Sequence, residues 1–101
     1  MVVLIPTKER AYCPFLKETG ERLPGTFATL CDAEERIKEE LVQFLASMKI
    51  AYVDVSPAME GQIREHVQIY PPDTDGHPQA TGHAVIARAV YEAVRRQRPP
   101  R

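Results

Sequence analysis

AEERIKEELVQFLASMK (residues 33–49) runs directly into IAYVDV (residues 50–55), and this junction decides the fold. In the first stretch Ile37, Leu41, Phe44, Leu45 and Met48 recur at helical intervals. Asp32 followed by Glu35 has the spacing of an N-cap and its reciprocal partner, so the pattern predicts a helix over about 33–49. The second stretch is short, apolar and rich in β-branched and aromatic residues, which predicts a strand. Val2-Val3-Leu4-Ile5, closed by Pro6, has the same character and suits a strand buried on both faces of a parallel sheet. Strand, crossover helix and strand of this length predict a right-handed βαβ unit. Two strands make a marginal sheet, so partner strands are expected from further sequence or from another chain.

Outward from this unit, residues 14–30 carry Pro14, Gly20, Pro24 and Gly25 among scattered charges and read as a long surface connection with one short helical turn at most. Ser56-Pro57 marks a helix start, with serine at the N-cap and proline at the first helical position, and Met59 and Ile63 supply its apolar face. Tyr70-Pro71-Pro72-Asp73-Thr74-Asp75-Gly76-His77-Pro78 reads as a loop, since its prolines remove donors and its Asp and Gly favour turns. From about Gln79, Val85, Ile86, Ala89, Val90, Ala93 and Val94 line one face of a last helix. The expected fold is α/β: a partial flavodoxin-like three-layer sandwich with parallel strands, βαβα plus a C-terminal helix. Residues 1–101 form a single domain, with 96–101 a flexible basic tail.

At 101 residues, 44% hydrophobic and 27% charged, the composition is that of an ordinary soluble domain with a thin core. A formal net charge of −1 gives no general pull toward nucleic acid or anionic lipid, and neither is expected as a partner. Arg95, Arg96, Arg98 and Arg101 read as a solvated end that complements a helix dipole. No apolar run approaches the roughly 20 residues that span a bilayer, and MVVLIPTKER lacks the basic start and small-residue cleavage site of a signal peptide. The chain as given is therefore expected to be soluble and unaddressed. Cys13 and Cys31 lie too far apart for a CxxC redox or zinc pair. They read either as free, partly buried thiols or as one disulfide in an oxidising compartment.

The functionally dense segment is DTDGHPQATGHAVIARAV, residues 73–90, which places an acid and a histidine in a rigid loop leading into a helix. Asp75-Gly76-His77-Pro78, followed by Gly82-His83 and Ala87, resembles the last conserved block of SGNH/GDSL hydrolases. There an Asp and a His precede Pro, a small-residue stretch, Gly and an Ala-rich helix. VVLIPTKERAY and YVDVSPAM resemble the strand segments ahead of that block, so the resemblance covers most of the chain and marks it as a C-terminal portion of such an enzyme. It implies that His77 is a general base and Asp75 its orienter, in the hydrolysis of a small acyl or acetyl ester through a serine ester, with no cofactor. A carboxylate can fix the imidazole tautomer and stabilise the imidazolium. The chain departs from the commoner family form, in which the acid lies three residues before the histidine, because that position is Thr74; Asp73 is the alternative acid. The family's Gly-Asp-Ser nucleophile block and the Gly and Asn of its oxyanion hole have no counterpart among these residues.

Several residues keep a structural reading beside the functional one. Asp75 and His77 also suit a solvated turn whose acids cap exposed amides. Ser47 falls inside a helix, and Ser56 is best explained as an N-cap. His83 suits helix-start packing, Asp54 a strand edge or a hydrogen bond to a loop, and Lys8 and Glu9 either a solvated strand exit or support for a site at the strand ends. Three functions follow: an ester hydrolase portion inert by itself, a non-catalytic homo-oligomeric assembly module using exposed sheet edges, and a small metal-binding protein using Asp73, Asp75, His77 and His83.

Overall fold

The computed structural model describes residues 1–20 and 22–97. Val2–Leu4 (β1) and Tyr52–Asp54 (β2) pair in parallel, with Val2 opposite Tyr52, Val3 opposite Val53 and Leu4 opposite Asp54. Backbone bonds from Val2 to Ala51 and from Val55 to Leu4 extend the pairing at each end. Four helices accompany them among the described residues: Lys8–Glu18 (α1), Gly25–Ser47 (α2), Ser56–Arg64 (α3) and Ala80–Gln97 (α4).

The expected flavodoxin-like sandwich is not formed. Two strands of three residues make the whole sheet among the described residues, while the helices run to 11, 23, 9 and 18 residues, so the molecule is mostly helical. The physical reason lies in residues 8–30, of which 14–30 are expected from the sequence to be a surface connection. Thr7 caps α1 by accepting from the Arg10 N–H, and Ala11 and Cys13 are buried on its inner face. Pro14 sits inside that helix, where it removes one hydrogen bond; the burial of Ala11 and Cys13 before it and the packing of Phe15 after it offset the loss. Helix α2 starts at Gly25 after Pro24, a full two turns before the expected start, so Asp32 lies inside the helix and caps nothing. Crossing from β1 to β2 therefore takes two helices.

The core lies where α1, α3 and α4 meet one face of the sheet. Val55, Met59, Ile63, Ile69 and Tyr70 are fully buried there with Ala11, and Val85, Ile86, Ala89 and Val90 of α4 close over them. Tyr70, expected at the edge of a loop, is thus a core residue. The apolar stripe of α2 behaves differently. Only Leu45 is buried, whereas Ile37 is 65% exposed, Phe44 55% and Met48 58%. Covalent and polar ties hold α2 against α1 instead: the Cys13–Cys31 disulfide, the Arg10–Glu35 ion pair, and Glu34 accepting from both the N–H and the hydroxyl of Thr7. The cysteines are therefore bridged and buried.

Two local details also differ from expectation. Ser56 is the first residue of α3, and its N–H donates to Asp54 Oδ1 at 2.9 Å, so the cap is an Asx turn made by Asp54. Residues 96 and 97, expected to open the basic tail, continue α4; the remaining tail, including Arg98 and Arg101, lies outside the described residues. Among the described residues no helix is long and apolar enough to cross a membrane.

Candidate functional site

The loop between α3 and α4 is fastened at its base. Tyr70 is buried, and its hydroxyl donates to the Pro6 carbonyl at 3.3 Å. Burial pushes this phenol up to about 12, so it stays a neutral donor. On the other side, the Gln79 N–H donates to Ile69 O at 3.0 Å, and Gln79 Nε2 and Thr81 Oγ1 both donate to Gln68 O, at 2.9 and 2.5 Å. Gly82 makes this closure possible. A Cβ there would overlap the Ile69 carbonyl oxygen and lie 2.8 Å from Pro78 Cβ, so only glycine lets α4 pass this close.

Within the loop, two Asx turns stand in series. Asp73 Oδ1 accepts from the Asp75 N–H at 2.8 Å, and Asp75 Oδ1 accepts from the His77 N–H at 2.9 Å. The same Asp75 oxygen lies 2.7 Å from His77 Nδ1. Local i to i+2 hydrogen bonds therefore bring the two expected site residues together. The His77 backbone N–H and, after it, the His77 imidazole hold the Asp75 carboxyl below the usual carboxylate range. Asp73, the alternative acid, binds the backbone of Asp75, and no bond from it to His77 exists among the described residues.

The pair faces outward, with the His77 side chain 92% and the Asp75 side chain 51% exposed. His77 Nε2 has no hydrogen-bond partner among the described residues. Neither serine meets it: Ser47 Oγ donates to Phe44 O at 2.7 Å on α2, and Ser56 is buried with its N–H on Asp54 Oδ1. His83 is exposed on the first turn of α4, its N–H on Gln79 O. Among the described residues no group of three or more His, Cys, Asp or Glu side chains is placed to hold a metal ion, so Asp73, Asp75, His77 and His83 do not form the metal set weighed from the sequence.

Two features join distant parts of the chain: Lys8, which the sequence left as either a solvated strand exit or support for a site at the strand ends, and a groove that it did not suggest. Lys8 is not a solvated strand exit: its Nζ donates to the carbonyls of Pro71 at 2.5 Å, Asp73 at 2.7 Å and Asp75 at 3.4 Å. At the C-terminal ends of the strands, a groove of about 290 Å³ opens between β1 and α2, walled by Val3, Leu4, Ile5, Ile37 and Leu41. Its charged groups are already paired: Arg10 with Glu35 and Glu60, and Lys38 with Asp54 at 3.1 Å and Glu35 at 3.7 Å. Desolvation alone would raise the Asp54 carboxyl, yet bonds from Ser56 and the Lys38 charge hold it below its ordinary value. No local signal marks either feature, because each joins residues far apart in sequence.

The chain matches no family model, no curated protein and no solved structure.

Proposed function

We propose that residues 1–101 are the Asp/His-bearing portion of an SGNH/GDSL-like ester hydrolase, whose serine and oxyanion donors come from residues outside this stretch. The observation that carries the reading is the 2.7 Å contact between Asp75 Oδ1 and His77 Nδ1, with the opposite ring nitrogen open to solvent. A carboxylate on Nδ1 fixes the tautomer that leaves Nε2 as an acceptor, which is the form a general base needs. His77 Nε2 takes the proton of an incoming serine hydroxyl as its oxygen attacks the ester carbonyl carbon. It then returns the proton to the departing alkoxide, leaving an acyl-serine that water hydrolyses by the same route. The apolar groove beside β1 and the exposed stripe of α2 suit the seat of the segment that delivers the serine.

A fluorophosphonate probe tests this by intact mass. Residues 1–101 take up none, whereas the polypeptide expressed with its upstream coding sequence takes up one equivalent, which is lost in His77→Ala. An adduct on Ser47 or Ser56 in the short chain would overturn the claim that the nucleophile lies elsewhere. An extended polypeptide that neither labels nor cleaves short-chain esters would overturn the hydrolase reading.

The exposed stripe of α2 also favours a second reading, an assembly module that covers this face with a second copy. A stop codon in frame just ahead of Met1, together with a stable dimer, would support it.

A further inference from the structure

The geometry points to Lys8 as the positioning residue of the Asp75–His77 pair, its ammonium acting as the knot that holds the loop to the end of β1. The inference rests on the hydrolase reading for its catalytic meaning, but its structural content stands apart from it. Loop 71–75 turns three carbonyls, those of Pro71, Asp73 and Asp75, toward one point. Converging carbonyl dipoles repel unless a cation sits among them, and an ammonium carries three donors for three acceptors. Lys8 makes no ion pair with a carboxylate among the described residues, so its charge is committed to these oxygens.

The spacing gives the contact its function. Lys8 is the first residue of α1, four positions after β1 ends, and the carbonyls it gathers lie 63 to 67 residues away. The Asx turns order Asp75 against His77 but do not say where the pair stands relative to the sheet. Lys8 does, because it pins the loop above the strand end, the place where α/β proteins assemble sites. Its bonds to Asp73 O and Asp75 O also hold the Asp73–Thr74 and Asp75–Gly76 peptide planes, the second of them directly after the residue whose side chain reaches His77. An arginine would not serve, since its planar fork cannot meet three oxygens gathered around one point.

The test compares the 101-residue chain with its Lys8→Met and Lys8→Arg variants by hydrogen exchange and by ¹⁵N NMR of the His77 ring. In both variants the Asp75 and His77 amides are expected to exchange at least tenfold faster, with α3 amides unchanged. The ring signal moves from an Nδ1–H form to a mixture of tautomers, a change that mere loss of stability would not produce in a folded chain. Unchanged exchange and an unchanged ring signal would overturn the assignment. Should Lys8→Met fail to fold, the wild-type chain still decides: the Lys8 ammonium protons should exchange more slowly than those of Lys17 and Lys49, and equal rates would overturn the proposal. Fluorophosphonate labelling of the upstream-extended polypeptide separates the two claims. A tenfold slower reaction in Lys8→Met supports both, whereas an unreactive wild type removes the hydrolase reading and leaves the exchange result to judge Lys8.

Discussion

At Asp75 a single carboxylate oxygen serves both the backbone and the imidazole of His77, and this dual use sets its response to pH. The folded carboxyl lies below its ordinary value of about 3.9, so the Asx turn is fully formed above that pH and is lost as pH falls through the lower folded value. A ¹³C titration of the Asp75 carboxyl should therefore show a midpoint below the ordinary one; a midpoint at or above it would contradict the geometry. Gly82 offers a second residue-scale test. Alanine there gains about 1 kcal/mol of helix propensity but forces a Cβ into the Ile69 carbonyl, an overpacking cost of about 1–3 kcal/mol. Gly82→Ala should thus lower unfolding free energy by about 1 kcal/mol in urea melts, and a stabilised variant would show that α4 can shift away. The Asp75–His77 contact was legible in the sequence because Asx chemistry acts over two residues. For Lys8 the sequence left support for a site beside a solvated strand exit and could not choose between them, because its partners lie more than 60 residues away and a lysine after a strand carries no mark of what it will bind.

Among the elements, α2 shows why helical periodicity alone misplaced the core. Ile37, Leu41, Phe44 and Met48 do share one face, as the spacing requires, yet periodicity says which residues lie together and not what covers them. Pro14 marks a break in the sequence pattern but lies inside α1, because the burial of Ala11 and Cys13, which depends on α3 being in place, holds the helix together. What fixes α2 is its N-terminal half, through the Cys13–Cys31 bridge and the pairs from Arg10 and Thr7. A loop of this size, with a sequence separation of 18, restricts the unfolded chain enough to contribute about 3 kcal/mol. The double variant Cys13→Ala, Cys31→Ala, or reduction of the wild type, should lower stability by about that amount in denaturant melts and expose α2 amides before those of α3. Equal protection of α2 with and without the bridge would mean that its polar contacts suffice.

The whole molecule is more open than its mass requires. Its accessible surface is 7140 Å², against about 5,800 Å² for a compact monomer of 11.4 kDa, and its radius of gyration is 14.9 Å against about 13 Å. Most of the large apolar side chains left in water lie on or beside α2 and the sheet: Ile37, Leu41, Phe44 and Met48 on α2, with Val2, Ile5, Ile50 and Tyr52 around the strands, while Tyr91 and Val94 of α4, Leu30 and Met1 are exposed as well. Contiguous exposed patches of this kind mark interaction surfaces, and the open edges of a two-stranded sheet add unpaired backbone groups beside them. Both functional readings use this face, one for the serine-bearing segment and the other for a second copy, so its behaviour in the isolated chain is a shared consequence. The purified chain should bind an apolar dye and sediment with a concentration-dependent mass. The double variant Ile37→Glu, Phe44→Glu should abolish both while changing unfolding free energy by no more than about 0.5 kcal/mol per site, as expected of surface positions. If the variant instead unfolds, these side chains belong to the core of the isolated chain, and α2 must pack on the sheet more closely than the structure shows.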